Sequence, residues 1–135
     1  MSINQEKKQK INKIAKKYGL KLVLLFGSFA NGKMHENSDM DIAVLSAKNI
    51  PFERYLNLTG ELSKLFCKDV DLTILNEANP LLLSQVSKNS ALLYGNKKSF
   101  AEFKLYAFHR YNDYLPYFKM ERILNKKLVK HYAFR

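Results

Sequence analysis

The chain has 135 residues, 47% of them hydrophobic and 26% charged, with a formal net charge of +11. That length suits one compact domain with one core, the composition argues against extended disorder, and no apolar run approaches the ~20 residues that cross a bilayer. A lone cysteine, Cys67, excludes an intramolecular disulfide, and the Lys-rich N-terminus has no apolar segment behind it, so the chain reads as a cytoplasmic protein without signal peptide or membrane contact.

The positive charge sits at the two ends. Residues 1–17 carry six lysines and one glutamate, and residues 97–135 carry ten Lys and Arg against three acids. Residues 18–96 balance seven bases against eight acids. Basic ends attract nucleic acid, an acidic protein or anionic lipid, or are simply solvated helix faces.

In chain order, residues 3–18 read as an amphipathic helix, with Ile11, Ile14, Ala15 and Tyr18 on one face and lysines on the other. Gly19 is its stop. Leu20 to Phe26 reads as a buried strand, Gly27 to Ser38 as a polar loop, and Asp39 to Leu45 as a second strand. A loop this short favours an antiparallel pair over a crossover. Pro51 opens a helix to about Phe66, with Phe52, Tyr55, Leu56, Leu62, Leu65 and Phe66 on its buried side. Val70 to Leu75 is a third strand. Asn79-Pro80 pairs an N-cap with proline at the first helical position, opening a helix to about Val86. Ala91 to Gly95 forms a short strand or turn. Residues 97–133 read as helical, with Pro116 kinking or dividing them. The order predicts an α+β (mixed α/β) fold with a small mixed β-sheet, flanking helices and a helical C-terminal tail. Residues 1–96 form the core of what is a single domain overall, and residues 97–135 an extension packed on that core or on a partner.

Three carboxylates stand out. Side chains alternate along a strand, so Asp39 and Asp41 share one face, roughly 6–7 Å apart, and Met40 faces the core. Asp69 and Asp71 likewise share a face. If their strand lies beside the Asp39–Asp41 strand, one of them completes a three-carboxylate cluster, and Asp71 is preferred because it abuts the apolar run. Hard oxygen ligands without nearby His or Cys suit magnesium or manganese rather than zinc. Two such ions can clamp an in-line displacement at phosphorus. Against this stands the ordinary reading of D-x-D as surface chemistry at a strand start.

Gly27 follows a buried strand, where a tight turn needs a residue without Cβ. Backbone N–H groups in such a turn form an anion-binding nest, and the Ser28 hydroxyl can donate to a phosphate oxygen. Lys21 and Lys33 could supply charge nearby. Neither G-x-x-x-x-G-K-[ST] nor G-x-G-x-x-G is present, which excludes a P-loop and gives no sign of a dinucleotide fold.

Gly27-Ser28, ten intervening residues, Asp39-x-Asp41 and a carboxylate on a later strand together resemble the signature of the DNA polymerase β-like nucleotidyltransferase superfamily. LFGSFANG, SDMDIAVL, VDLTIL and the stretch from Pro80 to Gly95 are similar to the minimal nucleotidyltransferases, the MNT family, which are antitoxin partners of HEPN-domain toxins. The resemblance covers about residues 10–95. It implies that Gly27 and Ser28 hold the triphosphate of ATP and that Asp39 and Asp41 bind Mg²⁺, two ions in all. Asp71 would be the third ligand and would help to deprotonate the acceptor hydroxyl. It further implies an antitoxin that transfers AMP from ATP to a tyrosine of a HEPN ribonuclease toxin, releasing pyrophosphate. One departure is visible: Asn31 stands where the family pattern has arginine, which could weaken triphosphate contacts. Two other functions fit the same motifs: an antitoxin that neutralises by binding alone, and a nucleotidyltransferase acting on RNA or a small-molecule hydroxyl.

The tail interleaves aromatics with bases. Phe100, Phe103, Tyr111, Tyr114 and Phe118 fit one helical stripe, which favours packing or a protein interface over nucleic acid. His35, His109 and His131 show no metal-ligand spacing, and Cys67 reads as half-buried packing.

Overall fold

The computed structural model describes residues 4–27, 30 and 39–133. The first helix, α1, is Gln5–Tyr18. The Asn4 side chain accepts from Lys7 N at 2.8 Å, and Gly19 closes the helix in the left-handed region at φ 68°. Ile11, Ala15 and Tyr18 are the buried face.

Four strands follow: β1 Leu20–Phe26, β2 Met40–Ser46, β3 Val70–Ile74 and β4 Ser90–Tyr94. They form one sheet in the order β3-β2-β1-β4. β1 is antiparallel to both β2 and β4, whereas β2 and β3 are parallel. The parallel pair requires a crossover, supplied by α2, Phe52–Phe66. A 3₁₀ turn, Leu75–Glu77, and α3, Pro80–Lys88, connect β3 to β4. The α3 N-terminus is built as the sequence indicates, with Asn79 Oδ1 accepting from Leu82 N at 2.9 Å and Pro80 at the first helical position. The last helix, α4, is Lys97–Ala133.

The continuous apolar character of β1 has a direct cause: both sheet faces are covered. On one face Val23, Leu25, Ile42 and Val44 pack with Ile11 and Ala15 of α1 and Leu58, Leu62 and Phe66 of α2. On the other, Leu22, Leu24 and Ala43 pack with Leu83 and Val86 of α3 and Phe103 and Ala107 of α4. The sheet is the middle layer of three. Asn76 ties the 3₁₀ turn to the end of β2 like an extra rung, accepting from Ser46 N at 2.9 Å and donating to Ser46 O at 2.8 Å. Among the described residues no helix is long and apolar enough to cross a membrane.

Three expectations need correction. The buried stripe of α2 is Leu58, Leu62 and Phe66, not one beginning at Phe52. Phe52 and Leu56 are exposed, and Phe52 stacks on Tyr55 at 6.2 Å, outside the core. The crossover lays the C-terminal half of the helix on the sheet, so its first turn overhangs. Cys67 is exposed, because it ends α2 in a left-handed turn at φ 54° that directs its side chain outward. Pro116 does not divide the tail, and α4 runs through it. At an exposed position, water can satisfy the carbonyl that proline leaves without its helical donor.

Candidate active site

A single transverse row crosses one end of the sheet. Ser90 of β4 lies opposite Phe26 of β1, Phe26 opposite Asp41 of β2, and Asp41 opposite Asp71 of β3. The row therefore runs from the end of β1, where Gly27 begins the turn, to the two central carboxylates. Asp39 stands one residue before β2, and Met40 beside it has no exposed surface, as alternation along the strand requires. The parallel start of β2 against β3 is fixed by Met40 N donating to Asp69 O at 2.9 Å. That bond is what sets Asp71, rather than Asp69, in register with Asp41.

Asp41 is half-buried, whereas Asp39 and Asp71 are exposed. Burial first, then the neighbouring Asp71 and Asp39 carboxylates, hold the Asp41 carboxyl above its ordinary range. This is a donor set of hard oxygens whose mutual repulsion a divalent cation would relieve. Among the described residues, no three His, Cys, Asp or Glu side chains stand together as a ready-made metal cage. The carboxylates are electrostatic neighbours, and their oxygens must converge through side-chain rotation to share an ion.

Gly27 has φ 74°, in the left-handed region. A Cβ on it would overlap Asp41 Oδ2 and lie 3.1 Å from Asp41 Cγ. Gly27 and the central carboxylate are thus in direct apposition. Ser28, Asn31, Lys33 and His35 lie outside the described residues.

Sequence reasoning did not single out Ser90, at the β4 end of the row. Its Oγ is buried and, among the described residues, without a hydrogen-bond partner, as is Arg110 Nε on α4. Cross-strand register brings Ser90 to this edge, and nothing local in the sequence signals it. A separate cleft of about 710 Å³ opens at the opposite end of the sheet, where Lys8, Lys21, Tyr94, Ser99 and Glu102 contribute to its wall. It contains none of the carboxylates.

Known proteins resemble this chain in sequence and fold. Residues 9–99 match the family model "Polymerase beta, Nucleotidyltransferase". The chain is 38% identical over 79 residues to the protein adenylyltransferase MntA of Shewanella oneidensis, a match that takes in 58% of this chain and 57% of that relative. A crystal structure of a toxin–antitoxin with AMP-PNP contains a chain that superposes with a TM-score of 0.76 at 29% identity, over 90% of this chain and 98% of its counterpart. A complex of tri-AMPylated Shewanella oneidensis HEPN toxin with MNT antitoxin gives 0.72 at 26% identity, over 93% and 99%. With the matched segment running from α1 to the first turn of α4 and enclosing the whole carboxylate row, the chain belongs to the polymerase β nucleotidyltransferase family.

Proposed function

We propose that this chain is an antitoxin that transfers AMP from ATP to a tyrosine of a HEPN ribonuclease toxin in the cytoplasm. The observation that carries the reading is the apposition of Gly27 to Asp41, with Asp71 in register beyond it. The relatives' activity and the toxin complexes support the choice of nucleotide and partner.

In this reading Asp39, Asp41 and Asp71 hold two Mg²⁺ ions, and Gly27 and Ser28 hold the triphosphate. When bound, Mg²⁺ supplies neutralisation of phosphate charge in an in-line displacement. Because Gly27 lies against Asp41, a triphosphate held there would have its α-phosphorus beside the carboxylates. The tyrosine oxygen attacks that phosphorus, the bond from phosphorus to the bridging oxygen of the β-phosphate breaks, and pyrophosphate leaves. The phenol proton passes to the Asp71 carboxylate, which is exposed and so reachable by an acceptor from solvent. Residues 1–96 act as the catalytic core and residues 97–135 as an extension of the same domain.

The test is the intact mass of a HEPN-family toxin, taken as the candidate acceptor, after incubation with this protein, ATP and Mg²⁺. A gain of one or more AMP units, absent with Asp39→Ala/Asp41→Ala, is the expected result. Unchanged mass with a stable complex formed by both versions would replace transfer by neutralisation through binding alone. Label from ATP appearing on RNA without the toxin would reassign the acceptor.

A further inference from the structure

The residues of the transverse row share the sheet face that α3 and α4 cover. Phe26 and Ala43 pack on that face, and Leu72 packs on the other. Alternation then puts Asp41, two residues before Ala43, on the α3–α4 side, together with Asp71, one residue before Leu72. Ser90 follows, opposite Phe26 and two residues before Leu92 of the same face. Helix α4 begins beyond Tyr94, at the end of β4 remote from the row. Thirteen residues at 1.5 Å each carry it about 20 Å to Arg110, against about 15 Å for the five residues of β4. Lys88 ends α3 two residues before Ser90, and its Nζ lies 5.5 Å from the centre of the Tyr111 ring. The turn of α4 that holds Arg110 and Tyr111 is therefore level with the row.

Arg110 follows Ala107 by three residues and Phe103 by seven, so it lies on the face of α4 that packs on the sheet. It is half-buried. Its Nε is buried and, among the described residues, has no hydrogen-bond partner, and no carboxylate there pairs with the guanidinium. The Tyr114 ring, centred 4.8 Å from the guanidinium carbon, gives it a cation–π contact but no acceptor in the plane of its N–H groups. Ser90 Oγ, at the β4 end of the row, is buried and unpartnered in the same sense. A half-buried cation without counter-charge is costly, and an arriving anion removes the cost. Charge thus changes sign along this edge, from Asp71 and Asp41 on β3 and β2 to Lys88 and Arg110 beside β4. Two strand spacings, about 10 Å, separate Asp41 from Ser90 across Phe26.

We infer that Arg110 of α4 binds the β- and γ-phosphates of ATP, and hence the pyrophosphate that leaves. With the α-phosphorus beside the carboxylates, the rest of the triphosphate extends toward the end of the row that bears positive charge. The planar guanidinium matches two phosphate oxygens at once, and Lys88 adds charge from the exposed side. As the bond to the α-phosphorus breaks, negative charge grows on the departing pyrophosphate, where a fixed cation is most effective. The inference rests on the AMP-transfer reading and adds to it the residue that receives the leaving group.

The experiment is calorimetry on the full chain in Mg²⁺ with ATP and with pyrophosphate, comparing Arg110→Gln, Arg110→Lys and Arg122→Gln. The last makes the same charge change at an exposed position farther along α4. Arg110→Gln is expected to weaken both ligands about tenfold or more, the loss of a charged hydrogen-bonding group. Arg110→Lys should keep the charge, lose the paired N–H geometry and fall between the parent and Arg110→Gln. Arg122→Gln should change either affinity less than about twofold. Affinity for the candidate HEPN-family acceptor should be the same in all four proteins. Undiminished pyrophosphate binding in a folded Arg110→Gln protein overturns the assignment, as does equal weakening in Arg122→Gln. A loss confined to acceptor binding overturns it too and gives the arginine to the acceptor interface. If Arg110→Gln does not fold, Arg110→Lys decides, and parent-like affinity for both ligands counts against the paired contact. Arg110-dependent pyrophosphate binding by a chain that adds no AMP to the acceptor leaves the assignment in place and overturns the transfer reading.

Discussion

Gly27 lies against Asp41 so closely that no side chain fits at position 27. A Cβ there would overlap Asp41 Oδ2, and the backbone sits at φ 74°. Gly27→Ala therefore imposes two penalties at one point: left-handed strain, and displacement of the carboxylate proposed to bind metal. We expect a stability loss on the order of 1–2 kcal/mol, measured by denaturant titration. We expect transfer activity to fall further than stability can explain, by about 100-fold, because the carboxylate is moved relative to the α-phosphate. Full activity in a folded Gly27→Ala protein would show that the apposition has no catalytic role.

Asp41 is held at the site against its own preference. Its carboxyl titrates above the ordinary range because of burial and the Asp71 and Asp39 charges. The folded chain thus binds a proton more tightly here than the unfolded chain does. This contribution is complete below the unfolded value and is lost as pH rises through the folded one. At neutral pH the ionised group destabilises the cation-free fold. Asp41→Asn should raise its melting temperature by a few degrees, on the order of 1 kcal/mol or less at a half-exposed position. Mg²⁺ should raise the melting temperature of the parent chain and leave Asp41→Asn unmoved. A destabilised Asp41→Asn protein would mean that the carboxylate has a structural partner outweighing the repulsion.

Much of this site is legible in the sequence because strand alternation is strict. Met40 is fully buried and Asp41 half-buried, as period-2 alternation along β2 dictates, and β1 and β2 pair antiparallel as the short loop after Phe26 favours. What a sequence does not carry is which part of a helix reaches the sheet. In α2, Phe52 and Leu56 have the composition of a buried face and are exposed, whereas Leu58 has no exposed surface. The crossover angle decides this, and it depends on both strands at once. Leu62→Ala should lose about 2–5 kcal/mol by opening a cavity between α2 and the sheet. Phe52→Ser should change stability by less than about 0.5 kcal/mol, since it removes only exposed surface. Comparable losses at the two positions would contradict the observed stripe. The continuity of α4 through Pro116 was hidden for a related reason: the rule that proline ends a helix presumes that the freed carbonyl has no water to turn to.

The two helices on the α1–α2 face are clasped by a small polar network. The Tyr18 hydroxyl donates to Glu61 Oε2, and Lys17 Nζ donates to Glu61 Oε1 at 3.1 Å. Arg54 donates to Lys17 O at 3.0 Å and lies 4.9 Å from the centre of the Tyr18 ring. Burial, followed by the bond to Glu61, pushes the Tyr18 phenol up to about 12, and the same bond, chief among its influences, draws the Glu61 carboxyl below its ordinary range. The two groups act at opposite ends of the pH scale. Between about pH 10 and pH 12 the unfolded chain sheds a phenol proton that the folded chain keeps, so this stabilisation falls as pH rises through that window. At acid pH the unfolded chain takes up a proton that folded Glu61 refuses, so stability falls as pH drops through the depressed value. Tyr18→Phe keeps the ring and deletes the donor. It should lose about 1 kcal/mol at neutral pH and remove the Tyr18-linked decline between pH 10 and pH 12. Glu61→Gln should flatten the acid limb while leaving most of the fold in place. Melting curves of the three proteins from pH 3 to pH 12 would check both limbs together. An alkaline decline unchanged in Tyr18→Phe would assign it to another of the eight tyrosines.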